Sequence, residues 1–152
     1  MFRRHPFLSL VTFVYLGFVA WVTLGPQPIG DGNTWIFRAL RVFARYDLTS
    51  WLNYHRLEFL ANVGMFVPIG MFFLLLFGRR MWGVSVLAGV ALTCTIEFVQ
   101  KFLPDRVSDI SDIIANSTGT LVGVLFALAV TEGKAREVRR ERRARLPAGS
   151  RE

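Results

Sequence analysis

An all-α membrane bundle of four spanning helices, carrying a short interfacial helix on its outer side, is the fold class this sequence predicts. Three observations predict it. Of the 152 residues, 53% are hydrophobic and the mean hydropathy is +0.41, above the roughly 45–50% apolar share of ordinary soluble domains. The apolar residues gather into four runs, each near the roughly 20 residues that cross about 30 Å of hydrocarbon. The run interiors are almost free of charge, whereas helices of a soluble protein carry a charged stripe along one face.

The first span is expected over about residues 7–24, closed by Gly25 and Pro26. It follows Arg3, Arg4 and His5, as the hydrophobic stretch of a secretion signal would. The run is long and no small-residue cleavage site follows it, so an uncleaved span is expected. The second span is expected over about 57–77, the third over 81–102 and the fourth over 110–130. Only Gly78, Arg79 and Arg80 separate the second from the third, which predicts a tight helical hairpin.

Direction follows from lysine and arginine near the span ends. Arg3 and Arg4, Arg79 and Arg80, and the tail from Lys134 to Arg145 share one side of a four-span arrangement. Both termini are therefore expected in the cytoplasm, although Arg38, Arg41, Arg45, Arg56, Lys101 and Arg106 stand on the other side. A four-helix domain over 1–133 and a basic cytoplasmic tail over 134–152 make up the chain. The net charge of +7 follows from this topology, and no nucleic-acid partner is expected. In the tail, Glu132–Arg136 and Glu141–Arg145 stand four apart, a spacing that pairs charges on a helix; the tail reads as a solvated anchor on anionic lipid. The long outer loop holds Arg38, Arg41 and Arg45 among apolar residues of 35–45. That pattern suits a helix lying in the headgroup region, with Trp51 and Tyr54 as interface anchors.

Polar side chains within the spans are the candidate site. Asn62 lies about 7 Å inside the outer end of the second span at 1.5 Å per residue. Glu97 and Gln100 fall near the outer end of the third, and Asp109, Asp112 and Asn116 enter with the fourth. Steps of three and four place the last three on one stripe, continued by Gly119 and Gly123, whose spacing permits close helix contact. Arg106 sits in the turn above. Ionised side chains in hydrocarbon are costly unless paired or hydrated. The alternatives are a salt-bridge and amide network joining Glu97 or Asp109 to Arg106 and Asn62, and an outward cavity for a headgroup, sugar or cation. Pro68 interrupts the second span and deprives the Gly64 carbonyl of its helical partner, which favours a kink.

With these residues assembled, the chain resembles the VanZ-like family, named for a teicoplanin-resistance protein. The resemblance rests on Asn62 through Phe66, Pro68 and Gly70; on Glu97 and Gln100; on Pro104 and Arg106; and on Asp109, Asp112, Asn116, Gly119 and Gly123. Thr23, Leu24 and Pro26 match the ending of the family's first helix. The motifs cover about residues 59–128. Carried over residue by residue, the family's polar positions fall on Asn62, Glu97, Gln100, Arg106, Asp109, Asp112 and Asn116, with Pro68, Gly70, Gly119 and Gly123 as structural positions. The resemblance implies a bacterial cytoplasmic-membrane protein of the envelope. Membrane lipids, a lipid-linked cell-wall intermediate or a lipoglycopeptide would be its partners.

Three functions follow as alternatives. Binding or modulation of an envelope component ranks first, because no nucleophile–base pair is recognisable. An intramembrane enzyme would use Glu97, Asp109 and Asp112 as acid and base, or as oxygen ligands for Mg²⁺ or Ca²⁺. His5 and His55 form no paired zinc motif, and Cys94 is the single cysteine, so no resident metal or other cofactor is expected. A small lipid transporter ranks third, because the polar residues occupy only the outer half.

Overall fold

A computed structural model describes residues 6–25, 54–104 and 108–145, with side chains throughout except at 54 and 134–145. All regular structure among the described residues is helical. Helix α1 spans Pro6–Leu24, α2 Tyr54–Phe77, α3 Trp82–Gln100 and α4 Ile110–Arg145. The expected interfacial helix at 35–45, Trp51, Arg106, and Arg3 to His5 lie outside the described residues, as does the Tyr54 side chain.

Local chemistry sets the boundaries. Pro6 occupies the first helical position of α1, where its missing N–H is not needed. At the other end Gly25 still donates to the Trp21 carbonyl at 2.9 Å. Helix α2 begins three residues earlier than hydropathy indicates, at Tyr54, because hydropathy does not register the polar residues of its first turn. It ends at Gly78, whose φ of 89° is open to glycine and rarely to other residues. A three-residue 3₁₀ turn, Arg79–Met81, leads directly into α3. Helix α3 stops two residues short of the expected end. There Phe102 and Leu103 donate to carbonyls three residues back, at 3.0 Å each, which tightens the last turn. Pro68 sits inside α2, which continues through it.

Helix α4 differs most from expectation. Ile110–Gly133 is its apolar, membrane-length part, yet the helix runs on for 36 residues to Arg145. At 1.5 Å per residue that is about 54 Å. The backbone carries no break at 133, so the basic segment begins as a continuation of the last span.

Packing is that of a bundle with its apolar surface outward. Phe7, Trp21, Leu87 and Phe102 are largely exposed, which suits lipid as the surrounding solvent. Only 22–39% of each span is buried, with α4 the most enclosed. One core cluster joins Val19 of α1, Phe66 and Ile69 of α2 and Ile96 of α3. A second joins Leu74 of α2 to Val124 and Ala127 of α4.

Between α2 and α4 the backbones meet. A Cβ at Gly70 would collide with the Thr120 carbonyl oxygen, one at Gly119 with that of Val63, and one at Gly123 with that of Val67. The glycine spacing of α4 is therefore a seam against α2, and Gly70 extends it from the opposite side. Helix association in lipid depends on such close van der Waals contact, because the apolar surroundings supply no hydrophobic drive.

Candidate functional site

All four helices bring polar side chains to one end of the bundle, where α1 and α3 finish and α2 and α4 begin. Most buried hydroxyls are satisfied by their own helix. Thr12 donates to the Leu8 carbonyl, Thr23 to Val19 and Thr120 to Asn116, at 2.8 to 3.0 Å. Such back-bonding hides a hydroxyl in an apolar setting. The amides and carboxylates at the polar end cannot do this and bond across helices instead.

Asn62 of α2 donates through Nδ2 to Asp112 Oδ1 of α4 at 2.7 Å. Asn116, one turn further along α4, donates through Nδ2 to Thr93 Oγ1 of α3 at 2.9 Å. Gln100 of α3 donates through Nε2 to the Thr23 carbonyl of α1 at 2.9 Å. The Glu97 carboxylate accepts the Asp109 backbone N–H at 3.1 Å and a side-chain hydrogen bond from Ser108. These bonds fasten the start of α4 to the end of α3. Glu97, Gln100 and Asn116 are each at least nine-tenths buried.

The side chains enclose a well of about 120 Å³, lined by Thr23, Glu58, Asn62, Glu97, Gln100, Asp112 and Asn116 together with Val22, Met65 and Ile96. Beside it lies a wider cleft of about 610 Å³, lined by His55, Arg56, Glu58, Phe59, Leu60, Asp109, Ser111 and Asp112. Glu58 and Asp112 belong to both, so the cleft forms a vestibule to the well.

Five positions expected from sequence, Asn62, Glu97, Gln100, Asp112 and Asn116, thus line one well. Asp109 does not join them. It is exposed, precedes α4, and accepts the Ser111 N–H through Oδ1 at 2.9 Å, which makes it the N-cap of the helix. The expected stripe fails at Asp109 because helical periodicity ends where the helix does. Among the described residues no three His, Cys, Asp or Glu side chains form a group that could hold a metal ion. The expected Arg106 partner lies outside the described residues. Sequence reasoning missed Glu58, Thr23 and Thr93 as lining or supporting groups. Glu58 and Thr93 each stand four residues before a singled-out polar residue, Asn62 and Glu97, on the same helix face.

The cap carries a pH signature. Bonds from Ser111, the backbone N–H first and the hydroxyl second, hold the Asp109 carboxyl below its usual range. A depressed folded-state value contributes stability above the unfolded pKa and loses it as pH falls through the folded value. In detergent melts, Asp109→Ala should be less stable than wild type at neutral pH. The gap should shrink below about pH 4, the ordinary aspartate range. Asp109→Asn, which retains a capping oxygen, should stay closer to wild type at neutral pH. A gap that is constant with pH would exclude the charged cap.

Four helices long and apolar enough to cross a membrane, gathered around a polar well at one end, define a polytopic membrane protein. The family model described as VanZ/LLP1 matches residues 12–131, and the chain belongs to that family. No curated protein and no solved structure matches the chain.

Proposed function

We propose that this envelope protein lies in the bacterial cytoplasmic membrane with both termini cytoplasmic and its polar end outward. There it binds the head of an envelope lipid, a lipid-linked cell-wall intermediate or a lipoglycopeptide, and modulates its availability without chemical turnover. One observation carries the reading: an open cleft of about 610 Å³ leads, through shared Glu58 and Asp112, to a buried polar well of about 120 Å³. Purely structural polar networks close on themselves, because each unmatched buried group destabilises the fold. Here the network encloses space and keeps unmatched acceptors. Pockets that combine apolar walls with a few convergent polar groups are the usual form of a ligand site.

Protein reconstituted in nanodiscs with a bacterial envelope lipid extract should retain a component that native mass spectrometry detects. Asp112→Asn should lose it, and its mass should be unchanged after incubation. Impermeant maleimide applied to intact cells should label Ser111→Cys in a Cys94→Ser background. Absence of any retained component would end the binding reading. A product of altered mass, formed by wild type and absent with Glu97→Gln, would establish the enzyme instead. Labelling only after lysis would reverse the orientation.

A further inference from the structure

We propose that the well takes a protonated primary amine, the alkylammonium end of a headgroup, with Glu58, Glu97 and Asp112 supplying charge and Gln100 an accepting oxygen. This rests on the binding reading above and specifies the ligand's chemistry.

The orientation of Gln100 is the starting point. Its amide nitrogen donates to the Thr23 carbonyl, an acceptor with no proton to give. The amide cannot be turned over without opposing two oxygens, so Oε1 is committed to the other direction. Gln100 is 6% exposed, and Oε1 has no hydrogen-bond partner in the protein. Asn116 is 2% exposed, and its Oδ1 has none either while Nδ2 faces Thr93. Leaving a buried acceptor unmade costs roughly 1–3 kcal/mol, so a site that keeps such atoms at the wall of a cavity is built for a donor.

Charge narrows the donor. Three carboxylates line the well, and among the described residues none that lines it is basic. Those carboxylates oppose an anion, and a neutral hydroxyl would satisfy the amide oxygens while leaving the negative charge uncompensated. A cation with several N–H groups answers both requirements, and hydrogen bonds between ionised partners are the stronger kind. Quaternary ammonium is disfavoured on two counts. It has no N–H to offer Gln100, and among the described residues no aromatic side chain of the kind that receives such groups lines the well. The carboxylates do not converge as metal ligands among the described residues. Size agrees: about 120 Å³ is the space of roughly four waters, enough for an aminoethyl end and too little for a sugar pair. The rest of the head would occupy the vestibule.

The test uses the full chain in nanodiscs of phosphatidylglycerol doped with phosphatidylethanolamine, its N-acetyl derivative or phosphatidylcholine, read by native mass spectrometry. Phosphatidylethanolamine should be retained at least ten-fold over both other dopants. Glu97→Gln and Glu58→Gln should each reduce that preference ten-fold, and Glu132→Gln, at the opposite end beside Arg79, should leave it intact. Circular dichroism melts verify folding of each variant. Free ethylammonium is added as competitor: displacement assigns recognition to the amine alone, and failure to displace with retained preference assigns it to the amine within a lipid head. Equal retention of the three dopants overturns the ammonium assignment while the binding reading stands. Loss of all headgroup retention, with envelope extract also giving none, removes both.

Discussion

Replacing Gly123 with leucine is expected to prevent α2 and α4 from closing, leaving a protein that inserts but does not hold its bundle. The reason is the identity of the opposing atom. A Cβ at Gly123 would overlap the Val67 backbone carbonyl and crowd the Met71 nitrogen. A flexible side chain could swing aside, but a helical carbonyl cannot move unless its helix does. Overpacking a tight contact costs about 1–3 kcal/mol for small additions, and four carbons against backbone should exceed that range. Gly123→Ala and Gly119→Ala should fall within it, read as lost stability in mixed-micelle unfolding. Gly64 is the internal control, because it lies in the facing helix with nothing within 4 Å of its would-be Cβ. Gly64→Ala should be neutral or stabilising by up to about 1 kcal/mol through helix propensity. Equal destabilisation at Gly64 and Gly123 would show that the seam contributes no more than any helical glycine.

The second large effect concerns the Asn62–Asp112 bond. It joins the same two helices at the polar end, with its 2.7 Å length typical of a charge-assisted pair. Asn62→Leu removes the donor and leaves a carboxylate inside the bundle with one partner fewer. A cost of about 1–3 kcal/mol is expected. Asp112→Leu strands the Asn62 amide but removes a charge, so it should cost less. The double variant leaves neither group stranded and should be more stable than the sum of the two losses implies, by about 1 kcal/mol, within the range for membrane hydrogen bonds. A cycle that closes additively within about 0.3 kcal/mol would mean the bond contributes nothing to holding the helices.

Both contacts are largely legible in the amino-acid sequence. The four spans follow from run length and hydropathy, and the seam glycines from their spacing. The meeting of Asn62, Glu97, Gln100, Asp112 and Asn116 follows from helix direction, because antiparallel neighbours set the beginnings of α2 and α4 beside the end of α3. The sequence is silent where periodicity yields to local geometry. Asp109 stands three residues before Asp112 and shares its stripe by spacing, but it precedes the first helical residue and caps it. Glu58 reads as a boundary charge, since hydropathy does not distinguish a carboxylate facing water from one facing inward. The Thr23 carbonyl gives no signal at all, because a backbone acceptor becomes part of a site only through the approach of another helix.

The turn at Gly78 has a consequence for how the protein enters its membrane. The connection from Gly78 to Met81 is four residues, at most about 14 Å when fully stretched, against a hydrocarbon layer of about 30 Å. Neither α2 nor α3 can therefore reverse its direction while the other stays in place. The two must be threaded as one hairpin, pointing either way as a unit. Asn62 and Glu97 then arrive at the same leaflet under either insertion outcome. Reversal would carry the α2 and α3 share of the acidic well, Glu58, Asn62, Glu97 and Gln100, to the opposite compartment as one piece.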